Sequence, residues 1–150
     1  MIEKIDSGAI DIRRIDRENY SMFADMLYWR ATGNERGRSL ETAPDELSNP
    51  NLYVYAAQQG GRFVGWISLI YLPKISRVKK GYIYVDELWV QQNHRRQGIA
   101  RRLMDEADRL KEELGATGVR LYVNTQSDGA KTLYSSCGFG EDGTALFMEK

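Results

Sequence analysis

The apolar positions change period several times along the chain, and each change predicts an element. Ile10, Ile12 and Ile15 predict a first strand after a polar N-terminal extension, with Asp16 placed to cap the next element. Met22, Phe23, Met26 and Leu27 recur at helical spacing, so an amphipathic helix is expected from Glu18 to Arg30. The run from Tyr28 to Asn34 breaks that pattern and closes on two turn formers; its aromatic residues either line a pocket or fill core. Pro44, followed by Asp45 and Glu46, marks a short second helix, because proline fits a helix start and acids suit its positive end. Two strand-like runs, Leu52 to Gln58 and Phe63 to Tyr71, flank Gln59-Gly60-Gly61-Arg62 and predict a hairpin.

A polar, basic loop from Leu72 to Lys80 leads to Tyr82 to Val90, which is rich in aromatic and β-branched residues and reads as the next antiparallel strand. That loop is read as solvated, with contact to an acidic ligand as the alternative. From Ile99 the apolar residues Ala100, Leu103, Met104, Ala107, Leu110 and Leu114 form one helical face, and Gly115 ends it. Val119 to Val123 reads as a strand, parallel to Tyr82 to Val90 because a helical crossover joins them. Turn residues Asn124 to Gly129 come next, with Ser127 or Asp128 able to cap a short helix carrying Ala130, Leu133, Tyr134 and Cys137 on one stripe. Phe139 and Ala145-Leu146-Phe147-Met148 are expected to form the final strands.

This order gives a single α/β domain over residues 1–150, with a mixed, mostly antiparallel central sheet flanked by helices. The 21 basic and 21 acidic residues cancel to a formal net charge of zero, which argues against a partner in nucleic acid or an anionic membrane. Cys137 is the only cysteine, so an internal disulfide and a cysteine-based metal site are excluded and no metal is expected. The apolar runs are too short to span a bilayer and the N-terminus lacks a signal-peptide pattern, so a cytoplasmic protein is expected. Association as a homodimer stays open.

The stretch from Val90 to Ala100 changes the picture most. It joins a strand to a helix N-terminus, where the first amide N–H groups have no intrahelical partner and face an incoming anion. Gly98 admits a ligand close to the backbone, Ala100 keeps the first turn open, and Arg95 and Arg96 add positive charge. The pattern Arg-x-x-Gly-x-Ala is neither the dinucleotide fingerprint nor the P-loop. The plain alternative is a polar connection that binds nothing. Upstream, Asp86 and Glu87 interrupt an apolar strand. Strict alternation puts Tyr84, Asp86, Leu88 and Val90 on one face and Val85, Glu87 and Trp89 on the other, so at least one carboxylate should meet a covered face or a cleft, and one that lines a cleft is a candidate base; the alternative is that both lie at an exposed end of the sheet.

Leu133-Tyr134-Ser135-Ser136-Cys137-Gly138-Phe139 resembles the Leu-Tyr-x-x-x-Gly-Phe signature of the GNAT superfamily of acyl-CoA-dependent N-acetyltransferases. Arg95-Arg96-Gln97-Gly98-Ile99-Ala100 resembles that superfamily's Arg/Gln-x-x-Gly-x-Gly/Ala signature. The resemblance implies a GNAT-like fold and acetyl-CoA as co-substrate. It further implies that the amides from Arg95 to Ala100 hold the pyrophosphate, that the backbone of Leu88, Trp89 and Val90 pairs with the pantetheine and acetyl group, and that Tyr134 assists the departing sulfur. Ser127 stands where many members have an asparagine that contacts the pantetheine arm, and His94 fills an often aromatic position.

The expected activity is acetyl transfer to a primary amine, of a small molecule or peptide, by direct attack in a ternary complex. An amine of pKa about 10.4 is almost wholly ammonium at neutral pH, so a base or water relay is needed; Asp86 is the first candidate and Glu87 the second. Tyr134 meets the leaving thiolate as hydrogen-bond donor or acid. A non-catalytic acyl-CoA-binding sensor or partner module would share the turn without needing base or acid. A structural interaction domain would bind no coenzyme A. The segments Tyr28 to Ser48 and Leu72 to Lys80 are the expected selectors of the acceptor amine.

Overall fold

A computed structural model describes residues 8–36, 41–76, 78 and 80–150. The expected N-terminal extension before residue 8, and the parts of the two selector segments at 37–40, 77 and 79, lie outside the described residues.

The described chain runs β1 (Asp11–Arg14), α1 (Tyr20–Thr32), a 3₁₀ turn (Asp45–Ser48), β2 (Leu52–Gln59), β3 (Arg62–Leu72), β4 (Tyr82–Val90), α2 (Ile99–Leu114), β5 (Gly118–Leu121) and α3 (Asp128–Ser136). Its five strands form one sheet in sequence order. The first three pairings are antiparallel and the last, β4 with β5, is parallel. The mixed sheet expected from the pattern is therefore observed. Gly60 and Gly61 turn the β2–β3 hairpin with φ of 63° and 80°, the positive values that a two-residue hairpin of this hand requires.

Period explains placement. On α2, Ile99, Leu103, Met104, Ala107 and Leu110 are buried, and they pack on Tyr55, Ala57, Val64, Ile67, Leu69, Ile83 and Val85 of one sheet face. On α1, Phe23 and Met26 cover Val54, Ala56, Phe63 and Trp66 on the other face. The sheet is thus sandwiched, and its central strands carry apolar residues on both sides. Asp16 accepts from the amides of Glu18 and Asn19, while Asn19 accepts from the amide of Asp16, so this paired turn sets the entry to α1. The 3₁₀ turn after Pro44 stands where the second short helix is expected.

Two expectations fail. Val119 to Val123 is cut short at Leu121. The final strands do not form: residues 137–150 hold no strand, and Leu146, Phe147 and Met148 are 89%, 87% and 83% exposed. Phe139 instead closes the turn after α3, its ring edge-on to Tyr134 at 6.1 Å. A strand exists only where an edge pairs with it, and an apolar run states a local preference alone.

Candidate active site

β4 carries a bulge where the two carboxylates stand. Its register against β3 passes from Ser68 opposite Glu87 to Leu69 opposite Val85, which leaves Asp86 as the extra residue. The inserted residue resets the alternation. Before it, Ile83 and Val85 face α2; after it, Leu88 and Val90 do. The expected grouping of Asp86 with Leu88 and Val90 is therefore corrected, because strict alternation holds only in an unbulged strand. Trp89 lies on the α1 side, tilted against Trp66 with ring centroids 5.3 Å apart.

Nor is either carboxylate buried, contrary to the expectation of a covered face. Asp86 and Glu87 are both exposed. Glu87 is paired with Arg30 of α1 at 3.7 Å, and Arg30 in turn lies over the Trp66 ring at 4.8 Å. Arg30 is a contact that the sequence pattern did not single out, since helix spacing only marked it as the polar end of α1. Asp86 has no ion pair or side-chain hydrogen bond among the described residues.

Beyond the bulge, β4 outruns its parallel neighbour. The pairing with β5 ends at Val85 opposite Leu121, so Asp86–Val90 has β3 on one side only. Gln91 donates its amide to the Val64 carbonyl at 2.8 Å. Counting back by twos, Trp89 and Glu87 also bond to β3, which turns the N–H and C=O of Leu88 and Val90 toward the open edge. Arg95 Nε donates to the Val90 carbonyl at 3.1 Å, so this arginine is folded back on the strand and braces the turn. Arg96 is exposed and projects alone, with a φ of 62°.

The turn ends at Gly98, the N-cap of α2, with φ 77° and no capping side chain. An added Cβ there would meet nothing within 4 Å, so the space above the backbone is open. The first bond of α2 runs from Arg102 to the Gly98 carbonyl, and the amides of residues 96–101 find no acceptor among the described residues. Six consecutive donors at the positive end of a 16-residue helix, whose first turn holds no acid, suit an anion. Ile99 and Val90 bury their side chains in the core, so both can offer ligand only their backbone. Gln97 is exposed and Ala100 is half-buried.

His94 and Gln97 both bond to the side chain of Gln59, at 2.5 Å and 2.9 Å. Burial first, then the Arg62 guanidinium, pushes the His94 pKa below its ordinary value. Sequence reasoning placed Gln59 in the hairpin turn, where a polar residue beside two glycines gives no sign of burial.

Tyr134 and Ser127 lie apart in sequence, on α3. Tyr134 is half-buried, and burial, with Cys137 beside it, raises its phenol above the usual value, so it stays protonated at neutral pH. Ser127 occupies the N-cap position of α3 but makes no side-chain capping bond. No hydrogen bond or ring contact links Tyr134 to β4 among the described residues; its ring partner is Phe139. A separate cavity of about 440 Å³ opens between α1 and the β2–β3 hairpin, lined by Asp25, Trp29, Glu35, Arg36 and Arg62 among others. Trp29 therefore lines a pocket as well as packing, but Asp86, Glu87 and Tyr134 are not part of it. Among the described residues no group of three or more His, Cys, Asp or Glu side chains is placed to hold a metal. No helix among them is long and apolar enough to cross a membrane.

Comparison with known proteins bears on the fold and the family. A 72-residue stretch is 35% identical to GCN5-related N-acetyltransferase 4, chloroplastic, of Arabidopsis thaliana; it covers 46% of this chain and only 25% of that protein. The fold matches the crystal structure of an aminoglycoside acetyltransferase, meta-AAC0020, from an uncultured soil metagenomic sample. The TM-score is 0.76 at 21% identity, over 94% of this chain and 95% of that one. It also matches ribosomal-protein-alanine N-acetyltransferase from Brucella melitensis biovar Abortus 2308, with a TM-score of 0.73 at 22% identity over 95% and 99% of the two chains. The model of the acetyltransferase (GNAT) family matches residues 12–139. That match spans the elements from β1 to Phe139, including the bulged strand and the open turn, so the chain belongs to the acetyltransferase (GNAT) family.

Proposed function

We propose that the protein moves an acetyl group from acetyl-CoA to a primary amine by direct attack in a ternary complex. One observation carries this reading: among the described residues, the unpaired edge of β4 at Leu88 and Val90 runs straight into six amides without acceptors. An extended, amide-bearing arm that ends in phosphates fits that sequence of groups. In this reading the amides of residues 96–101 and the Arg96 side chain hold the pyrophosphate, while Leu88 and Val90 pair with the pantetheine arm. The Val90 carbonyl is shared with Arg95, which leaves Leu88 the less committed of the two. Ser127, exposed at the start of α3, is the remaining candidate contact to the arm.

Bound acetyl-CoA supplies the activated acyl carbon and the thiol leaving group. The chain supplies proton handling. The amine nitrogen forms a bond to the acetyl carbon as the C–S bond breaks; one ammonium proton leaves before attack, a second leaves the nitrogen as the amide forms, and the departing sulfur takes up one. For an amine of pKa about 10.4 that first deprotonation costs roughly 4–5 kcal/mol at neutral pH, at about 1.36 kcal/mol per unit. Asp86 stays the first candidate base and Glu87 the second, now for a different reason. Asp86 is unpartnered at the bulge among the described residues, whereas Glu87 is held by Arg30. Tyr134, kept protonated by burial, donates a hydrogen bond or proton to the sulfur as negative charge develops on it.

The acceptor is a small-molecule or peptide amine met in the cytoplasm. The two structural neighbours named above act, by their names, on aminoglycosides and on ribosomal protein alanine, which spans both classes. Tyr134→Phe tests the catalytic part of this reading, since it removes one hydroxyl and little volume. Its kcat should fall by about 10²–10⁴ with acetyl-CoA affinity nearly unchanged, the pattern of an interaction made mainly in the transition state. Unchanged turnover would remove Tyr134 from the mechanism, and a large loss of affinity would recast it as a binding residue.

A further inference from the structure

Gln59 is the buried polar side chain of the described core, 4% exposed, and no step above uses it. It closes β2 beside the hairpin turn, just past an irregularity in the β2–β3 register at Ala57 and Gln58. Both ends of its amide are engaged. Oε1 lies 2.5 Å from His94 Nδ1, and Nε2 donates to Gln97 Oε1 at 2.9 Å. An amide oxygen only accepts, so Nδ1 of His94 carries the hydrogen. The two partners sit on either side of Arg95 and Arg96, within the turn that precedes Gly98.

Besides Gln59, the turn is held by Arg95 Nε on the Val90 carbonyl and by the Gln91 side chain on the Asn93 amide, both before residue 96. Its backbone bonds stop at His94 to Gln91 and a long 3.4 Å contact from Arg95 to Gln92, after which the amides of residues 96–101 stand without acceptors among the described residues. Arg96 holds a positive φ in the same segment, a conformation that costs a non-glycine residue free energy. A buried amide anchored in a neighbouring strand is positioned to supply the missing restraint. His94 is further held by the edge of Trp29 at a centroid distance of 6.4 Å, and the Arg62 guanidinium covers that indole at 4.0 Å.

We propose that Gln59 is a positioning residue for the co-substrate. By bridging His94 and Gln97 it fixes the turn conformation in which the amides of residues 96–101 stand free, so that binding the pyrophosphate need not first order the loop. This inference rests on the reading of that turn as the pyrophosphate site.

Calorimetric titration of acetyl-CoA into parent, Gln59→Leu, Gln59→Glu and His94→Phe proteins tests it without any acceptor amine. Gln59→Leu keeps the volume and drops both bonds; its dissociation constant should rise about tenfold, equivalent to about 1.4 kcal/mol. Gln59→Glu still accepts from His94, and from the Gln97 amide once that group turns its NH₂ inward, so it should bind within about threefold of the parent. His94→Phe keeps an edge against Trp29, loses one bond and should fall between. Amide hydrogen exchange should quicken at Asn93, His94 and Arg95, the bonded amides of the turn, in Gln59→Leu and stay at the parent rate in β2, β3 and β4, which a general loss of packing would not produce. Equal affinity of the parent and a folded Gln59→Leu overturns the proposal. Should Gln59→Leu fail to fold, unchanged affinity in His94→Phe overturns it instead. A parent protein that fails to bind acetyl-CoA overturns the reading of the turn itself.

Discussion

At Gly98 a single backbone angle decides what the turn can hold. Its φ of 77° suits glycine and strains any β-branched residue, yet an added Cβ would touch nothing among the described residues. The cost of a larger residue there falls on the helix start and on the ligand's approach, not on the core. Gly98→Val should weaken acetyl-CoA binding tenfold or more, about 1.4 kcal/mol or above, in a calorimetric titration. Arg96→Ala should cost less, because the exposed guanidinium adds charge to a site made of backbone. Parent-like affinity in Gly98→Val would contradict the cradle. Both residues were legible in the sequence, since a glycine before an apolar-periodic segment marks a helix entry. The inward fold of Arg95 onto the Val90 carbonyl was not, because a rotamer leaves no trace in composition.

Among the elements, the bulge in β4 decides which groups share a face. The bounds of β4 and α2 were readable from periodicity to the residue, and so was the hairpin from its two glycines. The bulge was not, because alternation is read on the assumption that it continues, and two adjacent carboxylates fit either face. Asp86→Asn should lower turnover most below the amine pKa, with the loss shrinking as rising pH supplies free amine. Glu87→Gln should cost less, since the Glu87 side chain is already held by Arg30 at 3.7 Å. A pH–rate profile of each variant checks this. An Asp86→Asn profile that overlays the parent's would leave Glu87 or an ordered water as the base. Gln59 is a parallel case: beside two glycines it reads as part of the hairpin turn, while it closes β2 and its two hydrogen bonds join that strand to a turn 35 and 38 residues away.

For the whole molecule, the proposed function rests on a sheet covered on two faces and, among the described residues, open along part of one edge. Helices α1 and α2 cover opposite faces, so the sheet is packed on both sides where β4 meets β3. Where β5 stops at Leu121, the remaining length of β4 offers its backbone outward and delivers the chain to the turn. The expected last strands misled for a related reason, since their apolar residues predicted pairing that the described chain does not make. A protein built this way should transfer acetyl groups and do more than bind their carrier. Free-thiol release, measured with acetyl-CoA against a panel of aminoglycosides, polyamines, amino acids and peptides, separates the two. Thiol should appear only when protein, acetyl-CoA and an accepted amine are all present, with one N-acetylated product formed for each thiol. Saturable acetyl-CoA binding with no thiol released for any amine would contradict acetyl transfer and leave a binding module.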